Sequence, residues 1–99
     1  MGYRIVASGL KKGSELEQFA MWFHQDWGIS YSTFEEAASA YLKQLSTKRR
    51  TTLRAELTAF LDEHASATRG GFRRWWLKLG AQGGPPDLKD ALRVFAQSI

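Results

Sequence analysis

Glu-Leu-Glu-Gln-Phe-Ala-Met-Trp-Phe-His-Gln-Asp-Trp, residues 15–27, is the stretch on which the fold turns. Leu16, Phe19, Ala20, Phe23 and Trp27 recur at i, i+3, i+4, i+7 and i+11, which puts them on one apolar stripe of a helix. Ser14, three residues before Glu17, fits a capping box: the hydroxyl accepts from a free backbone N–H and the glutamate reaches back to the cap. Gly28, directly after Trp27, predicts a left-handed stop.

Working outward, the same pattern repeats. Thr33 with Glu36 renews the box, and Phe34, Ala37, Ala38, Tyr41, Leu42 and Leu45 give a second stripe. Ser46 and Thr47 punctuate. Leu53, Leu57, Phe60, Leu61 and His64 define a third helix from near Lys48 to near Ala65. Arg69-Gly70-Gly71 is expected to separate it from a fourth stripe of about two turns, Phe72, Trp75, Trp76 and Leu79. Residues 80–84 and Pro85-Pro86 read as a loop, with Pro86 in the first turn of a last helix carrying Leu88, Ala91, Leu92, Phe95, Ala96 and Ile99. Short connections between consecutive amphipathic helices predict an all-α fold, a compact antiparallel bundle of about four to five helices. Only residues 3–7 show a faint strand-like alternation; there is no internal repeat and no low-complexity tract.

The chain has 99 residues, 43% hydrophobic and 13% aromatic, enough for one packed domain over residues 1–99, with residues 1–12 expected as a flexible lead-in. Cysteine is absent, which excludes disulfides and thiolate chemistry and suits a reducing compartment. No apolar run approaches the roughly 20 residues of a membrane span, and the N-terminus is too short in apolar residues for a signal peptide. A cytoplasmic protein is expected. The net charge of +4 is uneven: residues 1–46 carry −1 and residues 47–99 carry +5. A basic half attracts either nucleic acid or an acidic protein face.

The Glu-Leu-Glu-Gln-Phe start of residues 15–19 running into Phe23-His24-Gln25-Asp26-Trp27 resembles the signature of the small immunity proteins of bacterial contact-dependent growth inhibition. The resemblance runs from about Ser14 through the second and third helical segments and returns weakly at residues 78–82; the first twelve residues lie outside it. Gly28-Ile29-Ser30-Tyr31 stands where an acidic residue is expected behind the tryptophan. The resemblance implies a non-enzymatic role: binding the toxic C-terminal domain delivered by a sister cell, often a nuclease, as a 1:1 complex that blocks its active site or substrate groove. Leu16, Phe19, Phe23, His24, Gln25, Asp26 and Trp27 then form a structural motif.

The residues themselves offer no catalytic, metal or cofactor site. His24 and Asp26, two apart on a helix, point about 200° from each other, and the only other histidine is His64. His24 reads as a polar tip hydrogen-bonded to a neighbouring helix. The glycines of residues 70–71 and 80–84 lack the lysine and the strand–turn–helix setting of a phosphate loop. Trp22 stands off the main stripe and reads as a second core face under Trp75 and Trp76, or else as an interface anchor. Glu35 and Glu36 suit a helix N-terminus, and Glu56, Asp62 and Glu63 a solvated helix face, although a basic toxin groove would also meet them. Lys48, Arg49, Arg50, Arg54, Arg69, Arg73, Arg74 and Lys78 form two positive ridges. These either face solvent, clamp a toxin's carboxylates, or, interleaved with Trp75 and Trp76, serve a basic helical nucleic-acid-binding module. The residues expected at a toxin-binding face are Tyr31, Glu35, Glu36, Arg50, Arg54, Asp62 and Glu63.

Overall fold

Ser14 starts the first helix as its spacing predicts. Its hydroxyl accepts from the Glu17 backbone N–H at 3.0 Å and donates to the Glu17 carboxylate at 3.1 Å. The computed structural model describes residues 14–99, so the expectations for residues 1–12 and 3–7 lie outside the described residues. Within that range are six helices and no strand: α1 Glu15–Trp22, α2 Trp27–Ser30, α3 Phe34–Leu42, α4 Thr47–Glu63, α5 Arg69–Lys78 and α6 Leu88–Ser98. The all-α class is as expected; the number exceeds four to five because the first predicted helix is two.

The break falls at Phe23. A continuous helix over residues 15–27 would bond the Phe23 carbonyl to the Trp27 N–H. Instead that carbonyl accepts from Gln82 at 2.9 Å, while Trp27 donates to the His24 carbonyl at 3.0 Å. The Phe23 side chain is fully buried, stacked on Phe34 at 4.9 Å and edge-on to Phe19 at 5.2 Å. Tertiary packing thus overrides the stripe, and Gly28 sits inside α2 rather than ending a helix. The positive φ belongs to Gly80, at 119°, just after the C-cap of α5. A Cβ there would also lie 2.7 Å from Met21 Cγ.

Two further boundaries differ. Thr68 caps α5 by accepting from Gly71 N–H at 3.0 Å, so Gly70 and Gly71 form the first turn of a ten-residue helix instead of separating it from α4. Pro86 lies in the turn before α6, outside its first turn, and Asp87 is the N-cap. Thr33 and Ser46 cap α3 and α4, accepting from Glu36 and Arg49 at 3.1 and 3.2 Å.

The buried apolar residues form one cluster centred on Phe19. Its ring meets Tyr41 of α3 at 5.4 Å, Trp76 of α5 at 5.8 Å and Phe95 of α6 at 4.9 Å, the last nearly parallel. Long helix α4 carries α1 on one side and α6 on another, inserting Leu53, Leu57, Phe60 and Leu61. The segment from Gly80 to α6 lies across the end of α1. Beyond the Gln82 bond, Trp76 Nε1 donates to the Gly83 carbonyl at 2.9 Å, and Arg73 donates to the carbonyls of Gly84 and Pro85 at 3.3 and 2.6 Å.

Candidate functional site

Tyr31, Glu35 and Glu36 come together. With Ser39, Ala40 and Lys43 they line one cleft of about 560 Å³ between the α2–α3 turn and the outer side of α3. Tyr31 is half-buried, its ring 6.1 Å from Trp22. Trp22 belongs to the same support: its Nε1 donates to the Ala37 carbonyl at 2.8 Å and its ring lies 5.5 Å from Tyr41. The cover expected from Trp75 and Trp76 is therefore supplied by α3 and Tyr31. Glu35 and Glu36 are exposed in the first turn of α3, where the helix dipole favours their charge, and Glu36 accepts from the Ser32 N–H at 2.8 Å.

The other four expected contact residues all lie on α4. Arg50 is half-buried and donates to the Leu45 carbonyl at 3.4 Å; Arg54 is exposed. Asp62 and Glu63 lie at the far end, two turns or about 12 Å beyond Arg54. Glu63 lines a different cleft of about 320 Å³, with Glu17, Glu56, Leu16, Phe60 and Leu79. The seven residues thus divide between the α3 cleft and the length of α4.

Two acidic side chains brace α1, one of them Glu56, which was expected on a solvated helix face. Glu56 accepts from the Leu16 N–H at 2.8 Å, satisfying a donor that the helix itself leaves free. Glu15 receives a forked pair from Arg49, Nε at 2.8 Å and a terminal nitrogen at 3.1 Å, and Arg49 also donates to Gln18 at 3.2 Å. The Glu15 hydrogen bond raises the Arg49 pKa further above its ordinary value. Nearby, burial first and then the Glu15 charge push the Tyr41 phenol upward; its hydroxyl is buried with no hydrogen-bond partner among the described residues.

The structural motif from Leu16 to Trp27 divides by burial. Leu16, Phe19 and Phe23 are core and Trp27 is half-buried, whereas His24, Gln25 and Asp26 are exposed in the turn between α1 and α2. His24 reaches no neighbouring helix: its Nδ1 accepts from the Asp26 backbone N–H at 3.1 Å. Among the described residues no group of three His, Cys, Asp or Glu side chains is arranged to hold a metal.

The stripe expected of Phe72, Trp75, Trp76 and Leu79 holds only in part. Trp76 is fully buried but Trp75 is 45% exposed, in contact with His64 at 4.7 Å and with Lys78 Nζ at 4.6 Å from its centroid. Adjacent helical residues point about 100° apart, and here Trp76 takes the inward direction and Trp75 the outward one. Of the positive ridges, Arg49 is paired with Glu15, while Arg50 and Arg73 are held on backbone carbonyls.

Among the described residues no helix is long and apolar enough to cross a membrane. Comparison with curated proteins and with solved structures returned no match. A family model described as CdiI immunity protein matches residues 12–77, which takes in α1 to α4 and nearly all of α5. That match spans about two-thirds of the sequence and includes the motif of residues 23–27; the chain belongs to the CdiI immunity protein family, whose members are binding proteins and not enzymes.

Proposed function

We propose that the protein binds its cognate contact-dependent growth inhibition toxin domain in the cytoplasm, one to one, and neutralises it by covering the active site or substrate groove. Membership of the CdiI family over residues 12–77 carries the role. The cleft of Tyr31, Glu35 and Glu36 supports the choice of surface, since two exposed carboxylates beside a half-buried aromatic suit the basic groove of a nuclease. Tyr31 is the anchor, immobilised by Trp22, and Glu35 and Glu36 imitate the polyanion that the groove would otherwise take. Arg50, Arg54, Asp62 and Glu63 along α4 extend the contact and set partner choice through charge.

The test is growth of cells expressing the toxin domain encoded beside this gene, with and without this protein. Protection is expected from the intact chain, with loss on the double substitution Glu35→Lys and Glu36→Lys. Death in both cultures removes the proposed role. Protection unaffected by the double substitution removes the proposed surface.

A further inference from the structure

Gly71, Arg74, Trp75 and Lys78 follow at i, i+3, i+4 and i+7 of α5 and line a groove of about 180 Å³. Arg74 and Lys78 are exposed, and no carboxylate pairs with either: among the described residues Arg49 pairs with Glu15 and Arg93 with Asp90. Other cations of the basic half are engaged by the fold, Arg73 on the Gly84 and Pro85 carbonyls and Lys89 on the Ala65 carbonyl. The α5 face therefore presents two uncompensated positive charges around a half-exposed indole, with a glycine leaving room beside them.

We propose that this face is a second docking surface, taking an acidic segment of the toxin domain whose carboxylates pair with Arg74 and Lys78 while an apolar side chain lies against Trp75. The inference rests on the toxin-binding role above but on a different patch. Tryptophan and arginine are enriched among the residues that carry interface energy, and a guanidinium binds a carboxylate through two parallel hydrogen bonds. Contact with His64 and Lys78 already holds the indole in place, so little side-chain freedom is lost on binding. A nucleobase fits less well. The neighbouring Trp76 is buried with its Nε1 bonded to Gly83, so Trp75 offers a base no adjoining aromatic platform.

The experiment is a calorimetric titration of the full chain with the toxin domain encoded beside the gene, at physiological salt. Wild type is compared with Arg74→Glu/Lys78→Glu and with Trp75→Ala. The charge-reversed protein should bind about 100-fold more weakly and Trp75→Ala about 10-fold. Both reversed positions are exposed, so a wild-type melting curve is expected and keeps the result interpretable even if Trp75→Ala folds poorly. Undiminished affinity of the charge-reversed protein overturns this surface and leaves the toxin-binding role standing; a wild type that does not bind overturns both. A labelled single-stranded oligonucleotide captured by wild type but not by the charge-reversed protein, with toxin affinity unchanged, assigns the face to nucleic acid and likewise overturns the proposal.

Discussion

Glu56 shows how one side chain can hold a distant helix end. Its carboxylate reaches the Leu16 N–H from 40 residues away, and together with the Ser14 hydroxyl it covers two of the four donors that α1 leaves free. Glu56→Ala should lower unfolding free energy by about 0.5–2 kcal/mol, read from urea denaturation. Tyr41 makes the opposite case. Its hydroxyl is buried without a partner among the described residues, so Tyr41→Phe should be neutral or stabilise by up to about 1 kcal/mol. It should also change the alkaline response. A phenol whose folded pKa is raised above 10.0 contributes stability that is full below pH 10 and lost as pH rises through the folded value. Thermal melts from pH 8 upward should therefore fall more gently for Tyr41→Phe than for wild type. The Ser14 cap was legible because its partner lies three residues on; the Glu56 contact was not, since no local spacing relates α4 to the start of α1.

At the level of elements, α5 carries the sharpest contrast. Trp76 is fully buried against Phe19 and Phe23, and its indole N–H is satisfied by Gly83, while Trp75 faces outward. Trp76→Ala should cost about 3–5 kcal/mol, a large part of the stability of a small domain, and the loss should appear as a collapsed melting transition. Gly80→Ala, forced into a positive φ, should cost about 1–2 kcal/mol in the same assay. The stripes of α3, α4 and α6 were legible from periodicity alone, because their apolar faces meet the core without interruption. The end of α1 was not. Its stripe continues to Trp27, and only the demand of Gln82 for the Phe23 carbonyl stops the helix five residues early. The same loop explains why residues 80–84, rich in glycine, pack closely against Trp27 and Trp76, where a side chain at Gly83 or Gly84 would approach within 3.1 or 3.2 Å of an indole nitrogen.

For the whole molecule, charge is arranged by face more than by half. The acidic rim of α3 and the cationic groove of α5 sit on different elements, and Arg50 and Arg73 of the basic half are tied to backbone carbonyls. Of the expected contact residues, Tyr31, Glu35 and Glu36 were found together because they are close in sequence. Arg50, Arg54, Asp62 and Glu63 follow α4 away from them, a dispersion that composition could not show. A complex that uses both faces should weaken with added salt, and titrations at rising ionic strength should show a falling association rate with a smaller change in dissociation.

The strap of residues 80–87 has one more consequence. The family match ends at residue 77, yet Phe19 stacks on Phe95, Phe23 bonds to Gln82 and Trp76 bonds to Gly83, all supplied by later residues. A ribosome that has released only the matched portion holds a half-built nucleus whose aromatic centre is open to water. A chain truncated after α5 should therefore aggregate or be degraded, despite keeping the stretch by which the family is recognised.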